Sequence, residues 1–296
     1  MLKDILQAIL INPANAQHFT PDEAAAIQVI ENVPILLLKN TEATIETNAA
    51  LHNELGSSFN YADHYEKDAQ AYDYFGGDAS SATRLERNYS RQTITSKIPA
   101  SANLILDVGC GDGWVAKTFL QKNKKVISMD ISTANPIRVL KENPSDNHAA
   151  VVADVFHLPF AKNSFDAIIA SEIIEHVYDP KLFIEKLVAV LKPGGKLILA
   201  TPYNETLVYH LCVHCNKPTP ANAHLHSFNE KNIIHFFPDQ GIEFSFEKLI
   251  NNYALKIRFY NLVKFLPYTI WKLLDKLFNK IMNKPRLFII TVTKLS

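Results

Sequence analysis

The chain of 296 residues has only three cysteines, Cys110, Cys212 and Cys215. Three thiols are too few for a disulfide framework, so a cytoplasmic location is the expectation. The chain also lacks an excess of charge of either sign, because 30 basic residues balance 30 acidic ones. A neutral chain favours no polyanionic partner, and we expect no binding to nucleic acid.

Long hydrophobic runs are missing as well. No uninterrupted apolar stretch reaches the roughly 18 residues that a membrane span needs. The first eleven residues include Lys3 and Asp4, and no basic region precedes a long apolar run, so no signal peptide is predicted. Because 47% of the residues are hydrophobic, there is ample material for a core.

Residues 104–113 read LILDVGCGDG, an apolar run followed by alternating glycines. The run predicts a buried strand of a parallel sheet, and the glycines predict a sharp turn into a helix near Trp114. Ligands of open α/β sheets bind beyond the carboxyl ends of the strands, where this turn belongs. The dinucleotide fingerprint G-x-G-x-x-G is absent, because Trp114 takes the place of its third glycine. Asp107 would repel a pyrophosphate but suits a cation.

The pattern is instead D-x-G-x-G-x-G, which resembles motif I of the class I methyltransferases that use S-adenosylmethionine (SAM). Three further segments share the resemblance. Residues 154–160, DVFHLPF, are similar to the segment whose acid accepts from the adenine amino group. Residues 171–180, SEIIEHVYDP, look like the ubiquinone-biosynthesis type of O-methyltransferase, and residues 191–202, LKPGGKLILATP, resemble another marker of the family. The resemblance covers residues 104–202, about a third of the chain.

Asp130 ends an apolar run seventeen positions after Gly113, near the spacing at which nucleotide folds place a ribose-binding carboxylate. A carboxylate accepts two hydrogen bonds and so matches the two ribose hydroxyls. The alternative is a cap or turn residue. Phe156 and Leu158 either pack against the adenine or belong to the core.

The resemblance implies an α/β fold, a Rossmann-like seven-stranded sheet that is mostly parallel, with helices on both faces and an antiparallel last strand. It also implies that SAM is the cofactor. The residues expected to bind it are Asp107, Gly109, Cys110, Gly111, Gly113, Asp130, Ile131, Asp154, Val155 and Ser171.

Glu172, Glu175 and His176 follow the fourth predicted strand, where the acceptor chemistry belongs. On a helical turn, spacings of three and four residues place them on one face. We predict that His176 assists deprotonation of the acceptor, because an imidazole is neutral near pH 7. The two glutamates either orient His176 or bind a divalent cation with it, although no metal site is assigned. The alternative for His176 is a local hydrogen bond at a helix start.

Residues 1–45 are predicted to form a small N-terminal extension, and residues 46–296 the methyltransferase domain. The phrase ENVPILL, residues 31–37, is similar to the end of a Trm112-like module. No cysteine precedes Cys110, so we expect no zinc site in this extension. An aromatic-rich segment, His64 to Phe75, predicts a helix that ends at Gly76-Gly77 and covers the cofactor.

Residues 254–286 are predicted to be a basic amphipathic insertion with eight basic residues and one acid, Asp275. Its apolar stripe consists of Ile270, Trp271, Leu274, Leu277, Phe278, Ile281 and Met282, and Lys272, Lys276 and Lys280 share another face. The pattern favours either a helix on an anionic membrane or above a lipophilic acceptor, or a helix packed on the sheet edge or at a dimer interface.

Cys212, Cys215, His224 and His226 form a C-x-x-C pair followed by H-x-H. This spacing suits a zinc site and equally an acceptor-site loop.

The prediction for the whole chain is a SAM-dependent methyltransferase that acts on a small-molecule or lipid-like acceptor, at oxygen, in the cytoplasm with peripheral membrane contact. Two alternatives remain: a catalytically silent SAM-binding scaffold, and an NAD-dependent oxidoreductase, against which the missing third glycine argues.

Overall fold

A computed structural model describes residues 4–38, 61–76, 81–213, 216, 218–257, 259–263 and 265–295. The N-terminal extension contains two short helices and two small hairpins. They are α1 (Asp4–Gln7), β1 (Ile11–Asn12), β2 (Gln17–His18), α2 (Pro21–Ala26), β3 (Val29–Ile30) and β4 (Val33–Pro34). Thr20 and Glu23 form a capping box that begins α2. The boundary predicted near residue 45 lies outside the described residues.

In the described residues between the N-terminal extension and the sheet lie the helices α3 (Tyr61–Ala71) and α4 (Ser81–Lys97). The predicted helix from His64 to Phe75 therefore begins three residues earlier and ends four residues earlier than its sequence limits. Asp73 accepts from the backbone N–H of Phe75, and this local hydrogen bond forms a turn after the helix.

Seven strands form one twisted sheet, and this confirms the predicted fold class. They are β5 (Leu104–Val108), β6 (Lys125–Asp130), β7 (His148–Val152), β8 (Phe165–Ser171), β9 (Leu191–Pro202), β12 (Ile242–Asn251) and β13 (Pro285–Lys294), with the small hairpin of β10 (Tyr209–Leu211) and β11 (Pro218–Pro220) between β9 and β12. The order is β12-β13-β9-β8-β5-β6-β7, and β13 is antiparallel to both of its neighbours.

The parallel strands are connected through α5 (Trp114–Leu120), α6 (Ala134–Glu142) and α7 (Pro180–Val190). The central strands β5 and β8 are almost wholly buried, since helices cover both faces of the sheet. Asp179 caps α7 by accepting from the Leu182 N–H at 3.0 Å, and Pro180 occupies the first turn.

The insertion before β13 contains three helices rather than one: α8 (Asn252–Lys256), α9 (Phe259–Val263) and α10 (Tyr268–Met282). Trp271 is 1% exposed and stacks on Tyr89 of α4 with ring centroids 3.7 Å apart. Leu274 and Phe278 pack into the same cluster. The predicted stripe is therefore divided, because Trp271, Leu274 and Phe278 face the protein core, whereas Ile270, Leu277, Ile281 and Met282 are exposed.

The N-terminal extension continues the sheet beyond β7. The Leu36 N–H donates to the Val152 carbonyl at 2.8 Å, and Ile35 forms a parallel bridge with Val152. Val33 is wholly buried in a small cluster with Ala150 and Val152. The extension thus covers an edge strand that would otherwise present unpaired backbone groups. In the described part of the chain, no helix is long and apolar enough to span a bilayer.

Candidate active site

A large cavity of about 1270 Å³ opens at the carboxyl ends of the parallel strands. Ten of the predicted site residues line it: Gly109, Cys110, Gly111, Asp130, Ile131, Asp154, Val155, Ser171, Glu172 and His176. Asp107, Gly113 and Glu175 lie behind its wall. The fold therefore brings together residues from four strand ends that are distant in sequence.

The glycine turn has an obligatory shape. Gly109 has φ of +68°, and a Cβ added there would lie 2.1 Å from Ile173 Cδ1. A Cβ on Gly113, at φ of +69°, would lie 2.8 Å from Val139 of α6. Gly109 thus keeps the turn clear at the cavity wall, whereas Gly113 permits close packing of helices and does not touch the cavity.

Asp107 is buried beneath the turn, and its Oδ2 has no hydrogen-bond partner among the described residues. Burial raises its pKa well above the usual range, and the neighbouring Asp112 and Asp130 add to the effect. Asp112 itself is held by Arg91, whose Nη2 lies 2.5 Å from Asp112 Oδ2. Asp107 therefore lies beneath the glycine turn and is not among the residues that line the cavity.

Asp130 has a partly satisfied carboxylate at the end of β6. Its Oδ1 accepts from the Ser132 N–H at 3.0 Å, and its Oδ2 accepts from Asn135 Nδ2 at 3.3 Å. Burial raises the pKa of Asp130, while the hydrogen bond from the Ser132 backbone lowers it. Asp130 therefore stabilises the turn after β6 and also lines the cavity. Its carboxylate can still accept hydrogen bonds from a ligand.

Asp154 is more fully engaged. Its Oδ2 accepts from Tyr61 Oη at 2.6 Å and contacts His157 Nδ1 at 2.9 Å, while Oδ1 accepts from the Phe156 N–H at 3.0 Å. The bond to Tyr61 joins α3 to the end of β7. The Asp154 carboxylate therefore fixes the covering helix, a role that the sequence did not indicate. Phe156 lines the cavity, whereas Leu158 belongs to the core.

Glu172, Glu175 and His176 lie on an irregular turn, so the predicted common helical face is wrong. Glu172 has φ of +59° and its N–H donates to the Ala200 carbonyl at 2.8 Å. This left-handed residue follows β8, and residues 173–179 form turns and bends before the helix begins at Pro180. The three side chains nevertheless meet around the same end of the cavity.

His176 is held by the loop after β11. Its Nδ1 lies 3.2 Å from the Ala223 carbonyl, and its ring meets that of His224 edge to face at 4.8 Å. Burial and the neighbouring His224 lower the pKa of His176 to about 4. The imidazole is therefore neutral at pH 7, and donation from Nδ1 to Ala223 leaves Nε2 as the acceptor atom.

Glu175 is buried, accepts from Thr201 Oγ1 at 3.0 Å, and has no partner for Oε1 among the described residues. Burial, and then the charge of Glu172, raise its pKa. Glu175, His176 and His224 each offer one ligand atom, and these atoms lie within 4.8 Å of one another. The cluster has the nitrogen and oxygen donors of a divalent metal site.

Several cavity residues escaped the sequence analysis. Glu86 of α4 forms an ion pair of 2.9 Å with Arg286 of β13, and both side chains line the cavity near Glu172. Tyr65 lies in the aromatic-rich segment that was predicted to cover the cofactor, and its buried hydroxyl has no hydrogen-bond partner among the described residues. Glu86 gave no signal because α4 is a polar helix without a recognisable motif.

The described residues of the C-x-x-C and H-x-H motifs do not come together in one cluster. His224 enters the active-site cluster and pairs with Glu205 at 2.5 Å, whereas His226 packs beside Phe228. Cys212 is partly exposed, and Cys215 lies outside the described residues. Within the described chain, only His224 of the four joins a candidate metal cluster.

Known proteins are similar to the part of the chain that forms the central strands. The family described as a methyltransferase domain matches residues 106–199, about a third of the chain, from β5 through most of β9. This segment is therefore similar to a methyltransferase domain. A crystal structure of an S-adenosylmethionine dependent methyltransferase from Mesorhizobium loti is similar over 70% of this chain and 99% of that chain. Its TM-score is 0.51 at 15% sequence identity, which supports the fold of the domain and nothing more.

Curated relatives match the same domain. A ubiquinone biosynthesis O-methyltransferase from Chelativorans is 36% identical over 107 residues, which are 35% of this chain and 41% of the relative. A demethylmenaquinone methyltransferase from Thermobifida fusca is 33% identical over 118 residues, 38% of this chain and 50% of the relative. The chain thus spans about half or less of the length of these relatives.

Proposed function

We propose that the protein transfers a methyl group from SAM to an oxygen of a small lipophilic acceptor. The supporting observation is the shared cavity, in which the glycine turn and Asp130 lie together with the turn of Glu172 and His176. A cofactor pocket and a cluster of acid–base groups thus open into one space. The names of the relatives favour an acceptor of the quinone-precursor class.

The cavity residues suit SAM as the cofactor. Gly109 leaves room that any Cβ would fill, Asp130 offers acceptor lone pairs to the ribose, and the buried Tyr65 hydroxyl offers a donor to a carboxylate. When bound, SAM supplies an electrophilic methyl group on a sulfonium. The chain then contributes mainly by positioning the acceptor oxygen and by removing its proton.

We assign Glu172 as the base that finally accepts the proton from the hydroxyl of the acceptor. Glu172 is exposed to the open cavity, where desolvation by the cavity walls and then the charge of Glu86 raise its pKa to about 7, while Arg286 opposes the shift. A carboxylate of raised pKa is a stronger base than His176, whose pKa is about 4. His176 is assigned to orienting the acceptor hydroxyl through Nε2. This modifies the prediction that gave the base role to His176 alone.

A divalent cation at Glu175, His176 and His224 is a second candidate for activating the acceptor. The unpartnered, buried Oε1 of Glu175 favours it. A cation there would lower the pKa of a bound hydroxyl, so that less basicity is needed from the protein. Dialysis against a chelator should then abolish turnover, and Mg²⁺ or Mn²⁺ should restore it, whereas full turnover in the chelator would exclude the cation.

The proposal includes a cytoplasmic protein with peripheral contact to a membrane, since an acceptor with an apolar tail partitions into lipid. Trp271 cannot make that contact because it is buried. The part of the predicted stripe that remains available includes Leu277 and Ile281, exposed by 52% and 69%, and Leu273, exposed by 68%, lies beside them.

Thermal melting with SAM or NAD separates the proposed activity from its alternatives. SAM should raise the melting temperature and NAD should not, because a ligand stabilises only the state that binds it. Turnover is then measured with labelled SAM and a catechol that carries an isoprenoid tail. A Glu172→Gln variant should bind SAM as the wild type does but lose about 10²–10⁴-fold in kcat. SAM binding without transfer to any phenolic acceptor would instead support a silent scaffold.

A further inference from the structure

A second concave site lies between α10 and β12, away from the active site. It has a volume of about 740 Å³, and we call it the basic cleft. It is lined by Lys97, Ser245, Phe246, Glu247, Lys248, Lys272, Lys276, Asn279, Lys280 and Asn283. None of these residues lines the active-site cavity, so the proposed methyl transfer does not explain them.

Lysine charge in the basic cleft is not balanced by the single carboxylate, Glu247. Lys97 Nζ and Lys272 Nζ lie 2.6 and 2.9 Å from Glu247 oxygens, and Lys276 Nζ lies 3.6 Å away. Burial raises the pKa of Glu247, but hydrogen bonds from the first two lysines outweigh it and hold the carboxylate ionised.

One anion therefore serves three lysines, and Lys280 adds a further positive charge at the exposed end of the cleft. Lys248 is different, because it pairs with Glu230 at 2.7 Å. Like charges gathered in a concave site repel one another unless an anion joins them. Lysine is a common phosphate ligand in proteins, so the cleft suits a phosphate group.

Next to the basic cleft, α10 carries a row of exposed apolar residues. Ile270, Leu273, Leu277 and Ile281 recur every three or four positions and are exposed by 45–69%. At about 100° per residue, this row lies beside Lys276 and Lys280, and Leu273 points away from the buried Trp271. Phe265, 83% exposed, extends the apolar surface just before the helix. An apolar row flanked by lysines is the pattern of a helix at a membrane surface.

We propose that the basic cleft binds the phosphate of an anionic phospholipid headgroup while the exposed apolar row of α10 enters the acyl region beside it. The inference deepens the membrane contact proposed above and does not require methyl transfer. The same phosphate chemistry exists in free anions, but the adjoining apolar row favours the lipid as its source.

Flotation of the full-length chain with vesicles tests the charge half of this proposal. The protein should bind vesicles of equimolar phosphatidylcholine and phosphatidylglycerol and should not bind phosphatidylcholine alone. Lys276→Glu with Lys280→Glu should weaken binding at least about tenfold, since each lysine near an anionic surface contributes about 1 kcal/mol. Lys117→Glu with Lys181→Glu is the matched control, because these exposed lysines lie on α5 and α7, outside both sites. An equal loss of vesicle binding in the control would mean that binding depends only on the net charge of the protein. The basic cleft would then not be a phospholipid site.

Two leucine variants test the second part of the proposal, the insertion of the exposed apolar row into the acyl region. Leu273→Gln should weaken vesicle binding by about three- to tenfold, because it removes one side chain that would enter the acyl region. Leu211→Gln, at 65% exposure against 68% for Leu273, is the control and should bind as the wild type does. Equal binding by both variants, folded as judged by circular dichroism, would overturn insertion of the row.

Inorganic phosphate distinguishes the two sources of the anion. If phosphate raises the melting temperature of the wild type but not of the double lysine variant, and vesicles do not bind, the cleft serves a soluble phosphate and the lipid proposal is wrong. A folded wild type that binds neither phosphate nor anionic vesicles overturns the site altogether. Turnover with SAM is scored separately, so failure of the enzyme leaves this result readable.

Discussion

Asp130 and Asp154 both follow strand ends, yet their carboxylates differ in what they can still accept. Asp154 accepts short hydrogen bonds from the Tyr61 hydroxyl and the Phe156 N–H and contacts His157 Nδ1, whereas Asp130 accepts from the Ser132 N–H and, at a longer 3.3 Å, from Asn135 Nδ2. A carboxylate has about four acceptor positions, so Asp130 retains more capacity for a ligand.

Replacing Asp130 with alanine should weaken SAM binding by ~1.5–3 kcal/mol, the range for hydrogen bonds to a charged group. Isothermal titration calorimetry measures the loss. Asp146→Ala, in an exposed position, provides the control and should leave the affinity unchanged. Unaltered SAM affinity in a folded Asp130→Ala protein would remove Asp130 from the cofactor site.

Gly109 and Gly194 allow a matched test of the glycine turn. Both have positive φ, +68° and +75°, but only Gly109 would place a Cβ against a neighbour, whereas Gly194 has open space. Gly194→Ala should therefore cost only the backbone strain, ~1–2 kcal/mol. Gly109→Ala should cost more in urea unfolding and should also reduce SAM affinity, because Ile173 must move. Similar losses for the two variants would show that the clash is relieved without consequence.

Among the secondary-structure elements, the strands could be predicted and the turn that carries Glu172 and His176 could not. Runs such as residues 104–108 and 165–170 are apolar enough to indicate a buried strand directly. The segment SEIIEH has helical spacing, but Glu172 adopts φ of +59° and hydrogen-bonds to Ala200 of a neighbouring strand. That conformation depends on a tertiary contact, which local spacing does not contain.

Helix α10 was predicted as an element, with a membrane face and a packed face as the two alternatives for its apolar stripe. A single apolar stripe was expected, whereas the helix has an inner face around Trp271 and an outer row around Leu273. Both rows are apolar, so periodicity alone does not tell which one meets the core. Tyr89, Trp271's stacking partner, lies on α4, a helix that carries no motif.

Trp271→Ala should therefore destabilise the protein by ~3–5 kcal/mol, the usual cost of emptying a buried aromatic site. Leu273→Ala, on the same helix but 68% exposed, should change the free energy of unfolding by less than about 1 kcal/mol. Guanidinium unfolding of the two variants gives both values. Comparable effects would mean that α10 does not pack as described.

In the whole molecule, the N-terminal extension and the sheet share one core. Val33 is wholly buried against Ala150 and Val152, and Leu36 hydrogen-bonds to Val152. The sequence indicated an appendage, since its residues carry no methyltransferase motif. Its attachment to β7 could not be predicted, because a two-residue strand leaves little pattern.

The protein should accordingly unfold in one transition, and Val33→Ala should shift the whole unfolding curve to less denaturing conditions. The expected loss is roughly 1–3 kcal/mol for a buried valine truncated to alanine. Circular dichroism and tryptophan fluorescence should give coincident midpoints in the wild type and in the variant. An early transition that leaves the fluorescence unchanged would show that the extension unfolds independently.

The hydrogen bond from Tyr61 to Asp154 attaches α3 to the sheet at the cavity, and Glu66 makes a second attachment by accepting from the Thr133 N–H at 2.7 Å. We therefore expect α3 to limit how fast a cofactor enters and leaves, because both contacts must open before the helix moves. Tyr61→Phe, which keeps the ring and removes the hydroxyl, should raise the association and dissociation rates together in stopped-flow measurements. The equilibrium affinity should change much less than either rate.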